Sequence, residues 1–395
     1  MKRHLFENVY YVGACDKTKA LFENLFPIPD GMRYNSYIIK DEKNALLDTA
    51  DISIRNEFIN NVADTLQGSK LDYLVVHHAE PDHSSIISEI LELHAETTLV
   101  TSAMALKFIN QFCGKDYSSR TKVIKEGDLL DLGKHSLKFI AAPLVHWPEV
   151  MVSYDEHIKT LFSADAFGSF GSSEGNILIS SLENIEAWTD EARRYYTNIV
   201  GRFGTNTTSL LRKASSLKIE KICPLHGLIF DKHCDFALEK YTKWATYTAE
   251  NDSVLIVYGS MYGHTKSAAD ILAAMLSKRG KNSKVVDISY TDFSYIIADC
   301  FKFKNFVFAC PTYYNTMYPK MEQFFSSLKK LNLSSRRIGF IENGTWAPST
   351  VKLMKDTLLP MTADIDLPSV SLKSTIDSTS LQQLEELADA LCKKN

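Results

Sequence analysis

"LVVHHAEPDHSSI", residues 74–86, runs from an apolar segment straight into three histidines and two acids between His77 and His83. A buried strand that ends in so many polar groups needs a reason, because each would be costly to desolvate unpaired. Bound to cations, the same groups become ligands. Residues two apart on extended backbone point the same way, so His78 and Glu80 can converge on one point. Asp82 and His83 lie beyond the bend at Pro81 and can face a second point.

One cluster cannot fill two coordination spheres, so suitable residues should recur at other strand ends. They do so in "FIAAPLVHWPE" at His146, in "TLFSADAFG" at Asp165 and in "KICPLHG" at His226. Each follows an apolar run and precedes a Gly, a Pro or a turn. The remaining histidines (His4, His94, His135, His157 and His233) lack that context and read as solvated surface residues. His77 reads as a strand residue facing away from His78, or as a residue behind the ligands or on a path to them.

Composition narrows the classes around this site. The 395 residues are 45% hydrophobic and 23% charged, ordinary for a globular chain and long enough for two cores. A formal net charge of −4 argues against nucleic-acid binding, which needs a basic face. No apolar run reaches the length of a membrane span, and the N-terminal stretch lacks the pattern of a secretory signal. Seven scattered cysteines form no CxxC pair, so neither a disulfide framework nor a rubredoxin-like iron site is expected. The simplest location is a reducing cytoplasm.

Two halves differ in rhythm. Up to about residue 250, "NSYIIKDEKNALLDTA" and "KVIKEGDLLDLGKHSLKFIAA" each read as strand, polar turn, strand, with helical patterns such as "IRNEFINNVADTL" between. That mixture predicts two sheets packed face to face with helices outside. After "TAEND" the chain alternates strand, loop and helix: "SVLIVYGS", "TKSAADILAAMLSKRG", "SKVVDIS", "NFVFAC", "RRIGFI". Short apolar strands alternating with helices predict a doubly wound parallel sheet. The expected domains are 1–250 and 251–395.

"VLIVYGSMYGHTKSAAD" passes from strand through a Ser-, Gly- and Thr-rich loop into a helix, an arrangement that offers N–H groups and hydroxyls to an anion. It is neither a Walker A loop nor GxGxxG. "PTYYNTMYP" and "ENGTWAP" follow two further strands, where ligands collect in such sheets.

The histidine-rich strand exit with later His, Asp and His resembles the metallo-β-lactamase fold, an αββα sandwich. Where its zinc hydrolases usually carry HxHxDH, this chain has HxExDH, with Glu80 in the second position. That variant, followed by a flavodoxin-like half, is similar to the flavodiiron proteins (A-type flavoproteins) over nearly the whole chain. It departs from the common pattern at His77, where Asn or Thr is frequent, and at Ser85, usually Gly. The resemblance implies one iron held by His78, Glu80 and His146, another by Asp82, His83 and His226, and Asp165 as the bridge. A hard oxygen donor beside imidazoles suits iron that changes valence.

The loops resemble a flavodoxin FMN site. By that resemblance Ser260, Met261, Tyr262, Gly263, His264 and Thr265 hold the phosphate. Pro311, Thr312, Tyr313, Tyr314 and Asn315 flank the ring on one side, and Asn343, Gly344, Thr345 and Trp346 on the other.

The family's activities are reduction of O2 to water and of NO to N2O at the diiron centre, with electrons passed through FMN; O2 is the expected substrate and NO the alternative. A separate electron donor is expected, rubredoxin or a reduced-cofactor oxidoreductase, with a head-to-tail homodimer or a dimer of dimers. Two rivals are a zinc hydrolase with a vestigial flavodoxin half, and an electron carrier whose metal is structural. Glu80 and three intact flavin loops count against the hydrolase.

Overall fold

The computed structural model describes residues 3–172, 175–359 and 361–393. The chain forms two compact units, Met1–Thr242 and Lys243–Asn395, each with its own apolar core.

The first unit is built on two facing sheets. One runs Arg3–Phe6, Val9–Tyr11, Tyr37–Ile39, Ala45–Leu47, Tyr73–Val75, Thr98–Ser102 and Thr121–Ile124 in spatial order. The other runs Leu129–Asp131, Ser136–Ala141, Met151–Asp155, Thr160–Phe162 and Lys221–Cys223. Alternation along the strands selects the inner faces. In Ser136–Ala141, for example, Leu137 and Phe139 are buried and Lys138 is exposed. The core joins Tyr37, Ile39, Val75 and Val100 of the first sheet to Leu137, Phe139, Met151 and Phe162 of the second. Helices Arg55–Leu66 and Ala103–Cys113 each bury one stripe, Phe58, Val62 and Leu66 in the former. The stretch from Lys122 to Ala142 holds three strands rather than the expected two. Thr121–Ile124 closes the first sheet, and after a turn at Lys125–Asp128 the chain enters the second.

The second unit carries a parallel sheet in the order Ser283–Asp287, Asn251–Tyr258, Phe303–Tyr313, Ser334–Asn343, with Thr362–Asp364 and Ser369–Leu372 both pairing beyond. Val254 to Tyr258 are all buried, as a strand covered on both faces requires. Loops at 259–263, 314–315 and 344–349 leave the carboxyl ends of adjacent strands. The last helix, Ser378–Cys392, starts at a capping box in which Asp377 accepts from Ser380 N and the Ser380 hydroxyl takes the Asp377 amide. Among the described residues no helix is long and apolar enough to cross a membrane.

Leu387 of that helix is fully buried and lies against Gly339, where an added Cβ would come 2.6 Å from its Cδ1. Leu387→Ala should cost about 2–5 kcal/mol, measured as a lower urea midpoint for the second unit.

Candidate metal centre and flavin cleft

After Tyr73–Val75 the chain leaves the sheet and bends at His77 and at Glu80, whose own backbone is extended, and Pro81 then starts one helical turn, Pro81–Ser84. The turn swings Asp82 and His83 away from His78 and Glu80. Asp48 and Thr49 hold both ends of this exit. Asp48 Oδ1 accepts from the amides of His77 (2.7 Å) and His78 (3.3 Å), and the Thr49 amide (2.9 Å) and hydroxyl (2.6 Å) donate to the His83 carbonyl.

The seven residues expected as ligands come together in two groups. His78, Glu80, His146 and Asp165 form one; Asp82, His83 and His226 form the other, each with its ligand atoms within 4.8 Å of one another. Glu80 Oε2 lies 3.1 Å from His78 Nε2 and 2.9 Å from His146 Nε2. Asp165 divides between the groups. Its Oδ2 is 3.4 Å from His78 Nε2 and 3.2 Å from His146 Nε2; its Oδ1 is 3.1 Å from His83 Nε2 and 3.5 Å from His226 Nε2.

Proximity here is not mutual satisfaction. Both Asp82 oxygens, His83 Nε2, His226 Nε2 and Asp165 Oδ1 are buried without a hydrogen-bond partner. His226 Nε2 stands 3.2 Å from Asp82 Oδ2, yet the pair lacks hydrogen-bond geometry. Atoms so placed aim at a shared point rather than at each other, and a cation at that point removes the desolvation penalty. The outward nitrogens are tied down. His78 Nδ1 lies 2.7 Å from Glu149 Oε1 and His226 Nδ1 2.9 Å from the Arg33 carbonyl, which leaves each Nε2 facing inward.

Charge tells the same story. Burial pushes the Asp165 carboxyl up, but the imidazoles of His83, His146 and His78 outweigh it and hold it well below the usual carboxylate range. Burial lowers His83, yet Asp82 and Asp165 override that and raise it to about 9; Asp165 and Glu80 do the same to His146. Three carboxylates in this space demand positive charge, which protons or metal ions can supply.

In the second unit, every residue expected at the flavin except Gly263 lines one cleft of about 830 Å³. Gly263 instead sits at the N-terminus of helix His264–Lys278 with φ +92°, a conformation glycine adopts without strain, and its amide donates to Ser260 Oγ. Thr265 is buried, and Asn343 Nδ2 donates to its Oγ1 (3.4 Å) and to the Ser374 carbonyl (3.0 Å). Tyr262, Tyr314 and Trp346 are 86–89% exposed at the rim, so Trp346 is not a core indole.

Sequence reasoning missed Glu149, Ser374 and Tyr195. Ser374 lines the flavin cleft and its hydroxyl donates to Thr345 Oγ1. Tyr195 ends helix Glu186–Tyr195 with its ring 5.5 Å from that of His226 and its hydroxyl buried without a partner. Burial, then Asp165 and Asp82, push that hydroxyl well above the ordinary tyrosine value. One expectation is corrected: His135 is not solvated. It is fully buried, with Nδ1 2.7 Å from Asp155 Oδ2 across a hairpin end. His4, His157 and His233 are exposed and His94 is half-buried. His77 is buried as well, facing the opposite sheet.

Residues 32–227 match the ODP family beta lactamase model and residues 256–353 the flavodoxin model. An uncharacterised protein of Methanocaldococcus jannaschii is 31% identical over 85% of this chain and 86% of its own. The anaerobic nitric oxide reductase flavorubredoxin of Escherichia coli O1:K1 is 27% identical over 96% of this chain and 79% of its own. The structure of rubredoxin oxygen:oxidoreductase from Desulfovibrio gigas superposes with a TM-score of 0.92 at 26% identity, covering 99% of this chain and 98% of the other. With a metallo-β-lactamase-like unit followed by a flavodoxin-like one, and likeness to these relatives along nearly its whole length, the chain belongs to the flavodiiron proteins.

Proposed function

We propose that this protein reduces O2 to water at a non-haem diiron centre, taking electrons through FMN, with residues 1–250 carrying the irons and 251–395 the flavin. The observation that carries the reading is the division of Asp165, one oxygen toward each group of buried, unsatisfied donors. His78, Glu80 and His146 would hold one iron, Asp82, His83 and His226 the other, and Asp165 would serve both. When bound, iron and flavin supply the redox chemistry that a hydrolase of this fold does not need. The protein's own groups do the rest. Glu149 and the Arg33 carbonyl orient imidazoles, and Asp165 keeps the two groups within reach of one small molecule. Tyr195, its ring 5.5 Å from that of His226, offers a buried hydroxyl with no partner of its own.

NO reduction to N2O is the second reading. The same ligand set suits either gas, and the E. coli relative is named for nitric oxide. The Desulfovibrio relative is named for rubredoxin, which supports a separate rubredoxin or a reduced-cofactor oxidoreductase as donor. A head-to-tail homodimer, by the family resemblance, brings one chain's flavin to the other's irons. Seven free cysteines fit a reducing cytoplasm. Anaerobic reduction followed by separate additions of O2 and NO, each followed with a gas electrode, tests the reading. Consumption of neither gas overturns it.

Two substitutions separate the sites. Asp165→Ala should lose the iron pair and slow gas reduction by roughly a hundredfold or more, since even groups behind metal ligands cost ten to a hundredfold; flavin absorbance should stay unchanged. Thr265→Ala should weaken FMN binding about tenfold, the loss of one well-placed hydrogen bond, and leave iron content intact. Fluorescence titration of the apoprotein with FMN reads the second.

A further inference from the structure

His77 stands beside a ligand, points away from both ligand groups, and is fully buried where an apolar side chain would fill the space. Its contacts are polar at both ends. Nδ1 is 2.6 Å from Asp48 Oδ2 and Nε2 is 2.8 Å from Ser153 Oγ. Nδ1 thus meets a carboxylate oxygen and Nε2 a hydroxyl, so both ring nitrogens are engaged. Asp48, His77 and Ser153 are each no more than 1% exposed. A buried polar chain of this kind costs free energy unless every member is matched; here each is, and such a chain specifies one geometry.

The bar crosses between the sheets. Asp48 and His77 follow strands of the first, and Ser153 belongs to Met151–Asp155 of the second. The same edge of the second sheet grips the exit at two more points. Met151 N donates to the His77 carbonyl (3.0 Å), and Glu149 Oε1 takes both His78 Nδ1 (2.7 Å) and the Ala79 amide (3.0 Å). Glu149 reaches the exit from the turn before the strand, Met151 through its main-chain amide and Ser153 through its side chain. His78 and Glu80 follow a strand of the first sheet, whereas His146 lies three residues before Glu149 in the connection between two strands of the second, Ser136–Ala141 and Met151–Asp155.

We propose that His77 is a positioning residue: with Asp48 and Ser153 it forms a cross-sheet bar that fixes His78 and Glu80 against His146 and thereby sets the geometry of the metal they share. This rests on the diiron reading above. Its test therefore uses metal binding rather than turnover, on the full-length, FMN-loaded protein.

Iron is replaced with Co2+, whose visible ligand-field bands report coordination geometry, and cobalt loss to excess chelator is timed. Ser153→Ala and His77→Asn should shift the bands and release cobalt at least about tenfold faster, as removal of groups behind metal ligands does. Ser153→Thr, which keeps the hydroxyl, should restore both. A cooperative thermal transition of the first unit, followed by circular dichroism, reports that each variant is folded; if His77→Asn fails that check, the serine pair decides alone. Bands and release rates like the wild type's in Ser153→Ala would overturn the proposal. So would Ser153→Thr behaving as badly as Ser153→Ala, because bulk rather than the hydrogen bond would then be at work. If the wild-type protein takes up no cobalt at all, the diiron reading fails first and the bar's role falls with it, an outcome distinct from uptake that ignores the bar.

Discussion

Three carboxylates and four imidazoles crowd a largely buried space, and their own hydrogen bonds do not satisfy them. Much of the first unit follows from that constraint. Groups left in such a state cost free energy that a fold of ordinary stability cannot spare several times over. The surrounding architecture is therefore organised to hold them apart from one another and around points that positive charge can occupy. The helical turn at Pro81 divides one short segment between two centres, and Asp165 spans the division.

Holding such groups apart requires fixed walls. Ligands arrive from both sheets, and a sandwich whose sheets slid on an apolar interface would leave their separations loose. Polar ties across the interface, from Ser153 and the Met151 amide to His77 and from Glu149 to His78, remove that freedom in the region where accuracy matters. The second unit follows a different logic. Its sheet is a covered parallel array whose strand ends supply loops, and the loops supply amides, hydroxyls and exposed rings to a planar anionic cofactor.

What was legible in the sequence was local. His78 and Glu80 could be paired because a two-residue period is a property of extended backbone, and His146, Asp165 and His226 because each ends an apolar run. The parallel sheet was readable from continuously apolar strands. Groups whose meaning lies in a distant partner stayed hidden. His135 looked like a surface residue because Asp155, its partner, lies across a hairpin end. Glu149 and Ser153 look like any strand flank until the opposite sheet is in place. Tyr195 sits in "EARRYYTNIV", where an aromatic is indistinguishable from core packing, and Ser374 reaches the flavin cleft from a loop outside the three that the strand pattern marks.

The two tethered imidazoles differ in how exposed they are to genetic drift. Glu149 holds His78 through a side-chain oxygen that most substitutions would remove. His226 is held by the main chain of residue 33, and a peptide oxygen persists whatever side chain is attached to it. Descendants of this protein can thus exchange Arg33 for other residues without releasing His226, provided the backbone keeps its path. The donor group around His226 is thereby the more tolerant of sequence change.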